Sequence, residues 1–391
     1  MWISRPMISR VEAISGVCSG AIRGMIRSTD GGPMDPTCLA AILMLVNDPP
    51  RPLVDVALRP SRRYVAPDAP ITIEVDGSDR PGLTVQVLDS IGARVGGTIP
   101  GAPAIDLRDA FAPAQAPERA VFVQAFIGDE PVGSPLVLEP LRAAPACRTV
   151  RAAGARSRGP YTKVVGWGSS VLPGCEEDAA TVAPTWIDGD PVVTSGWRIY
   201  PERDAVLETD KGPIRVAFAP DVAPGTVWTM LQLAEDGFYD GTSFHRLVPQ
   251  DAQGHPFVIQ GGDLHGSGNG TPGFNVALEP SSLPFDYGVV GMARADEPHS
   301  AGSQFFIALS REGTARLDGQ YCAFAFVIDG ASTIDRIAAL PIEDPATGRP
   351  IKAPRINTVT LVPSPPRSAK VDRTGQRIDR ASAPPPDRDT R

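Results

Sequence analysis

Two short segments place polar side chains inside an otherwise apolar frame. Residues 244–246 (FHR) lie on one side of a polar loop, and residues 257–260 (FVIQ) lie on the other. A charged group is costly to bury, so an arginine among apolar residues usually faces a partner or a substrate. Its guanidinium stays charged and offers several N–H donors in a fixed plane. Arg246 and Gln260 are therefore the first candidates for a site that holds a ligand through hydrogen bonds.

Other interpretations of these polar residues stay open or lack support. Arg246 could instead form an ion pair with a nearby carboxylate such as Asp240. The spacing of His245, His265 and His299 matches no metal-binding motif, so no metal site is predicted. Residues 265–273 (HGSGNGTPG) are rich in glycine but lack the Lys-Ser/Thr ending of a phosphate-binding loop.

The pattern around these residues is that of short strands with few helices. Residues 205–224 read as two strands joined by an Asp-Lys-Gly turn. A helix follows, with Val227, Leu231 and Ala234 on one face and a glycine stop, and residues 331–340 predict a late helix. Mostly antiparallel strands with two helices indicate a closed barrel with helices at its ends.

Five motifs in this part of the chain resemble the cyclophilins, the peptidyl-prolyl cis-trans isomerases. They occur in the family's order and near its spacing: FHRLVP at 244–249, FVIQGGD at 257–263, GMARA at 291–295, GSQFFI at 302–307 and LDG at 317–319. The resemblance covers residues 203–362. It implies a cyclophilin-like closed antiparallel β-barrel and isomerase activity on X-Pro bonds of proline-containing polypeptides.

The isomerisation needs little chemical machinery. An X-Pro bond exchanges slowly because its amide is conjugated. A pocket for the proline ring, a grip on the flanking backbone and a donor aimed at the twisting amide are sufficient. No cofactor, metal or covalent intermediate is expected. The resemblance implies that Arg246 and Gln260 are catalytic. It also implies that the substrate is bound by Phe257, Val258, Ala293, Arg294, Ala295, Gln304, Phe306, Leu317 and Tyr321.

The chain departs from the family pattern at several positions. Val258 stands where methionine is usual, and Tyr321 stands where many members have histidine. Arg294 replaces asparagine at a position where only the main chain is expected to pair with the peptide. The loop 250–256 is longer than usual and sits at the rim of the pocket. Arg316 falls near the family's cyclosporin-contacting tryptophan, so weak or no cyclosporin binding is expected.

Bulk composition limits the function classes. The net charge of −8 and the lack of a basic stripe make a general nucleic-acid role unlikely. The counts of 39 glycines and 42 prolines favour strands, turns and linkers over long helices. The five scattered cysteines include no C-x-x-C, which leaves a zinc or thioredoxin-type motif unsupported.

The part of the chain before the barrel predicts a second β domain. Residues 51–145 alternate apolar and polar residues between Pro/Gly turns, which indicates a small immunoglobulin-like β-sandwich acting as an accessory domain. Residues 146–202 predict a linker with a Trp-rich β segment. The three tryptophans there, Trp167, Trp186 and Trp197, could form a ligand platform or anchor packing.

The two ends and the localisation are the least determined by the sequence. Residues 1–50 read as a targeting or disordered segment, a misassigned start or a short buried helix, and residues 363–391 as a disordered tail. A sandwich ahead of a cyclophilin, with a Cys147–Cys175 disulfide, would fit the periplasm or cell envelope. The poor signal sequence argues the other way, and on balance the periplasm or cell envelope is favoured over the cytoplasm.

The active isomerase is expected to be a monomer. Two other functions stay open beside it. One is a non-catalytic peptide-binding scaffold on the same fold, which the longer loop 250–256 favours. In the other, the domain at 51–145 is the working part and the isomerase aids folding nearby. A shared fold cannot decide between them.

Overall fold

The computed structural model describes most of the chain from residue 56 onward. The described residues are 56–67, 69–110, 119–142, 145–150, 161–167, 170–171, 194–279, 281–368 and 372–378, with the backbone alone at 142, 145–150, 161–167, 170–171 and 194–195. The predicted segment 1–50, the end of the tail at 379–391 and the Cys147–Cys175 disulfide lie outside what is described. Among the described helices, none has the length and apolar character required to cross a membrane.

The N-terminal part of the described chain forms two antiparallel sheets. Their strands are β1 (Ala57–Pro60), β2 (Tyr64–Val65), β3 (Thr72–Asp76), β4 (Leu83–Leu88), β5 (Arg94–Pro100), β6 (Ala104–Asp106), β7 (Val121–Ile127), β8 (Glu130–Arg142) and β12 (Thr194–Pro201), with a 3₁₀ turn at Leu107–Asp109. One sheet has the order β1-β3-β6 and the other the order β2-β12-β8-β7-β4-β5. We call them the N-terminal sheet pair.

The two sheets of this pair share one apolar core. Alternation along β3 turns Ile73 and Val75 inward, where they join Val85, Val123 and Leu136 of the other sheet. The period-two pattern of the sequence therefore predicted the buried face of β3. An immunoglobulin-like topology for the pair stays a prediction.

Strand β12 extends the sheet pair into the predicted linker. It pairs antiparallel with β8, from Thr194↔Arg142 to Pro201↔Leu136. Trp197 is buried in the shared core, so this tryptophan packs rather than forming an exposed platform. A separate three-stranded sheet is formed by β9 (Pro145–Val150), β10 (Tyr161–Trp167) and β11 (Ser170–Val171). Trp186 lies outside the described residues.

The C-terminal part is one curled antiparallel sheet with short helices. Its strands are β13 (Arg203–Thr209), β14 (Gly212–Phe218), β15 (Arg246–Val248), β16 (Val258–Gly261), β17 (Val289–Met292), β18 (Phe305–Ala308), β19 (Ala323–Asp329) and β22 (Ile356–Pro363). The order is β15-β16-β18-β17-β19-β14-β13-β22, and β20 (Ile342–Asp344) pairs with β21 (Arg349–Pro350) as a separate hairpin. The mainly β fold with few helices is confirmed.

The longest described helix lies where the sequence predicted one, although it begins one residue earlier, at Pro224. Helix α1 (Pro224–Glu235) begins with proline at its first position, where a missing N–H costs nothing. Val227, Leu231 and Ala234 are buried against the sheet, and Gly237 adopts a φ of 71° just beyond the end. Helix α3 (Ala331–Ala338) is the predicted late helix. Between them lie the short helix α2 (Arg311–Thr314) and a 3₁₀ turn at Ala315–Leu317.

The two end strands of the curled sheet, β15 and β22, approach each other through the residues before them. The N–H of Phe244 donates to the carbonyl of Pro354 at 2.9 Å, and the N–H of Ile356 donates to the carbonyl of Thr242 at 2.8 Å. Ser243 and Arg355 form an isolated antiparallel bridge. Full closure of the barrel by a strand ladder stays a prediction.

The predicted disordered tail, residues 363–391, is ordered over residues 363–368 and 372–378, beginning with the last residue of β22. Ser364, Arg367 and Arg373 are buried, and a 3₁₀ turn spans Arg373–Gln376. Arg367 and Arg373 both pair with Glu202, which lies between the N-terminal sheet pair and the curled sheet. The segment contains few apolar residues, so its composition indicated disorder. In the structure Arg367 and Arg373 hold it in place through ion pairs.

Candidate active site

Arg246 lies on β15, an edge strand of the curled sheet, directly opposite Gln260 on β16. Its Nη1 donates to Gln260 Oε1 at 3.1 Å, and its Nε donates to the carbonyl of Thr347 at 3.3 Å. The alternative partner, Asp240, instead accepts the N–H of Val359. Burial lowers the pKa of the Arg246 guanidinium from its ordinary value, but arginine stays charged in proteins. The site therefore holds a half-buried positive charge fixed by two neutral acceptors.

A chain of amides orients Gln260. Its Nε2 donates to Gln304 Oε1 at 3.0 Å, and Gln304 Nε2 donates in turn to the carbonyl of Gly270 at 2.9 Å. These bonds leave the Oε1 of Gln260 directed at Arg246. The two glutamines and the arginine were predicted from separate motifs, and the structure brings them into one network.

The predicted apolar residues form one cluster beside this network. Phe306 is buried, stacks on Phe285 at 5.3 Å between ring centroids, and meets Tyr321 edge to face at 5.9 Å. The same cluster includes the predicted pocket residues Val258 and Leu317, with Phe257, Ala293 and Tyr321 partly buried against it. Such aromatic geometry gives a rigid apolar surface.

The main chain at 293–295 lies along one edge of the cluster. The N–H of Ala293 donates to the carbonyl of Gln304, and the N–H of Ala295 donates to the hydroxyl of Ser300, both at 2.9 Å. These bonds fix the main chain on both sides of Arg294. Its side chain lies over the ring of Tyr321, with the guanidinium carbon 4.5 Å from the centroid.

The longer loop 250–256 lies at the opposite edge. Asp251 accepts the N–H groups of Gln253 and His255 through Oδ1, and Arg316 Nη1 donates to its Oδ2 at 3.0 Å. Arg316 lies over Phe257, 4.4 Å from the ring centroid to the guanidinium carbon. The loop is thus tied by an ion pair to Arg316, the residue that covers the ring of Phe257.

Two site-forming contacts were missed by the sequence analysis. Thr347 holds Arg246 from a turn a hundred residues further along the chain, and Asp251 pairs with Arg316. The turn that carries Thr347 contains Gly348 with a φ of 76°, and the Asp-Pro-Ala-Thr-Gly sequence at 344–348 is a turn signal. Nothing in the sequence shows that this turn meets Arg246.

The remaining polar groups have local roles. His245 is buried beneath the amide chain, and burial lowers its pKa although the charge of Asp263 opposes the shift. The Nδ1 of His299 accepts the N–H of Leu278. Within the described residues, no group of three or more His, Cys, Asp or Glu side chains is arranged to hold a metal ion.

Comparison with known proteins gives one family. Residues 205–361 match the model of the cyclophilin type peptidyl-prolyl cis-trans isomerases. A peptidyl-prolyl cis-trans isomerase of Synechococcus elongatus is 41% identical over 128 residues, which are 33% of this chain and 82% of that protein. Peptidyl-prolyl cis-trans isomerase B of Bacillus subtilis is 39% identical over 126 residues, 32% of this chain and 82% of that protein.

A solved cyclophilin from Cryptosporidium parvum is also similar. It has 28% sequence identity and a TM-score of 0.38, and the match covers 42% of this chain and 99% of that one. The two bacterial isomerases are 41% and 39% identical to this chain, and each match covers 82% of the relative. The five motifs lie within residues 205–361, which match the family model. The chain therefore belongs to the cyclophilin family of peptidyl-prolyl cis-trans isomerases.

Proposed function

We propose that the enzyme acts on X-Pro bonds in flexible, proline-containing polypeptides, with Arg246 as the donor that lowers the barrier. The observation that carries the proposal is the half-buried Arg246 guanidinium, held by Gln260 and Thr347 beside the apolar cluster of Phe257 and Phe306. An uncatalysed X-Pro bond exchanges over tens to hundreds of seconds, which leaves a large barrier to lower.

The proposed mechanism is electrostatic. As the amide twists, conjugation is lost and electron density returns to the proline nitrogen. A preorganised cation nearby stabilises that state more than the planar ground state. Because Gln260 and Thr347 accept from Nη1 and Nε, the guanidinium is held in place before the substrate arrives.

The proline ring is proposed to lie against Phe306, between Phe257 and Tyr321. Val258 and Leu317 support this surface, while Gln260 and the main chain at 293–295 hold the flanking peptide. No covalent intermediate is required. Burial raises the pKa of the Cys322 thiol to about 12, so that this thiol is a poor nucleophile at neutral pH.

The N-terminal sheet pair is proposed to be an accessory immunoglobulin-like module held against a closed isomerase barrel, in a monomer. Phe122, Val137 and Tyr200 of the sheet pair belong to the same apolar cluster as Met230 and Leu231 of α1, which supports a fixed attachment. The guanidinium carbon of Arg198 lies 4.4 Å from the centroid of the Trp228 ring on that helix.

A non-catalytic peptide-binding scaffold is the second candidate. The loop 250–256 favours it, because the Asp251–Arg316 pair lies at the edge of the pocket beside Phe257. A narrowed entrance would slow exchange of substrates while still allowing a peptide to bind.

The experiment is an isomerisation assay on a short X-Pro reporter peptide with the full chain. Wild type should accelerate exchange, and Arg246→Ala should reduce kcat/KM by about a hundredfold or more, as for loss of one preorganised donor. Arg59→Ala, an exposed arginine of the sheet pair, is the matched control. Peptide binding by wild type without acceleration would support the scaffold instead.

A further inference from the structure

Three arginines lie around the pocket, and they differ in how their charges are balanced. Arg316 is paired with the carboxylate of Asp251. The side-chain bonds of Arg246 end on an amide and a carbonyl oxygen. Those of Arg294 also end on carbonyls: Nη1 on Ala295 and Asp296, and Nε and Nη2 on Gln320. The charges of Arg246 and Arg294 are therefore not offset by a bonded carboxylate.

Arg294 is held in place at the edge of the proposed peptide groove. Its guanidinium carbon lies 4.5 Å from the centroid of Tyr321, and Tyr321 meets Phe306 edge to face. A guanidinium stacked on an aromatic ring and bonded to three carbonyls loses little further freedom when it meets an anion. It is half-buried, so solvent screens it less than a free surface arginine.

We propose that Arg294 selects substrates that carry an acidic side chain next to the proline. The ligand chemistry is an aspartate or glutamate carboxylate, which the guanidinium charge attracts and which can accept a hydrogen bond from the N–H of Nη2 that is not donated to Gln320. The proposal rests on the proposed function, since it concerns peptides bound in that same groove. It assigns a role to the side chain at a position where the family resemblance implies only main-chain pairing.

The charge of the whole chain acts against such a preference. The net charge of −8 repels acidic peptides weakly at long range, so selection must come from the local charge at the groove. A contact of this kind is present in the bound ground state as well as in the transition state. It should therefore appear mainly in KM, with kcat little changed.

The test uses the full chain and peptides of the form Xaa-Pro-Yaa. Glutamate, glutamine or lysine is placed before or after the proline, and kcat and KM are measured for each peptide. Wild type should favour glutamate over glutamine about five-fold in kcat/KM at one of the two positions, and lysine should be poorest. The preference should shrink when the salt is raised from about 0.05 M to about 0.5 M.

The variants assign the preference to one side chain. In Arg294→Gln the glutamate-to-glutamine ratio should fall below about two-fold, whereas Arg294→Lys should keep part of it. The ratio is taken within each variant, so a general change in activity cancels. Arg59→Gln removes an equal charge from the sheet pair and should keep the wild-type ratio.

The outcomes separate this inference from the proposed function. Turnover of the glutamine peptide with a ratio near one at both positions overturns the acid preference and leaves the isomerase mechanism intact. A clear ratio that survives in Arg294→Gln overturns the role of this residue. Absence of turnover for all peptides by folded wild type overturns both proposals.

Discussion

The guanidinium carbon of Arg367 lies 3.2 Å from the centroid of the Phe122 ring. Arg367 follows the last strand of the curled sheet, and Phe122 belongs to the six-stranded sheet of the N-terminal pair. The same arginine donates through Nε and Nη2 to the two carboxylate oxygens of Glu202, both at 2.8 Å. The segment after β22 therefore joins the two parts of the described chain.

Arg373→Ala should destabilise the protein strongly. Its Nη1 and Nη2 donate to Glu202 and Asp204, whose side chains are almost fully buried. Glu202 keeps Arg367 and Asp204 keeps Arg215 as partners, but the two buried carboxylates lose a shared cation and its hydrogen bonds, which typically costs about 1.5–3 kcal/mol. The measurement is the free energy of unfolding from urea titration, followed by tryptophan fluorescence.

The matched control lies four residues further on. Arg377 pairs with Asp286 in a more exposed setting at 3.0 Å, so Arg377→Ala should cost only about 0–1 kcal/mol. Equal and small losses for the two variants would show that the segment is dispensable for stability.

The docked segment shows where sequence analysis reached its limit. The motifs around Arg246, Gln260 and Phe306 were found because each is local in sequence, and alternation predicted the inward face of β3. Docking of Arg367 depends on an acid 165 positions away, and nothing in a low-hydrophobicity stretch distinguishes a paired arginine from a solvated one. The sequence analysis placed β12 in the linker for a related reason, because its partner strand β8 is distant in sequence.

Gly348→Ala should reduce isomerase activity through Arg246. A Cβ at Gly348 would lie 2.6 Å from the carbonyl oxygen of Leu247 and 3.2 Å from Arg246 Cγ, and the φ of 76° disfavours any side chain. The turn must shift, and the Thr347 carbonyl that holds Arg246 Nε shifts with it. A small displacement of a catalytic group can lower kcat about ten- to a hundredfold.

The control for this turn is Gly82→Ala. Gly82 has a similar φ of 77°, but its Cβ would meet nothing within 4 Å, and it lies in the sheet pair. Each variant should lose about 1–2 kcal/mol of stability from the left-handed backbone. Only Gly348→Ala should lose kcat, and equal kcat in the two variants would contradict a positioning role for the turn.

Arg316→Trp should strengthen cyclosporin binding. The resemblance to the family places its cyclosporin-contacting tryptophan near Arg316, and here an exposed arginine covers Phe257 instead. An indole would replace the charged group with apolar area at the same edge and release Asp251 from its ion pair. Titration calorimetry should give weak or undetectable binding for wild type and at least about ten-fold tighter binding for the variant. Tight binding by wild type would contradict the prediction.

Protonation of His245 should weaken the fold as the pH falls. Burial lowers the pKa of His245 in the folded chain from the ordinary value of 6.5, whereas the unfolded chain keeps that value. Below about pH 6.5 the unfolded state binds a proton that the folded state resists, so the free energy of unfolding falls with pH until the folded pKa is reached. The measurement is the free energy of urea unfolding at steps from about pH 8 to about pH 5, for wild type and for His245→Gln.

The profile of His245→Gln should be flatter over this range, because glutamine does not titrate. Replacement of the exposed His255 by glutamine is the matched control. Parallel profiles for wild type and His245→Gln would assign the pH dependence to other groups.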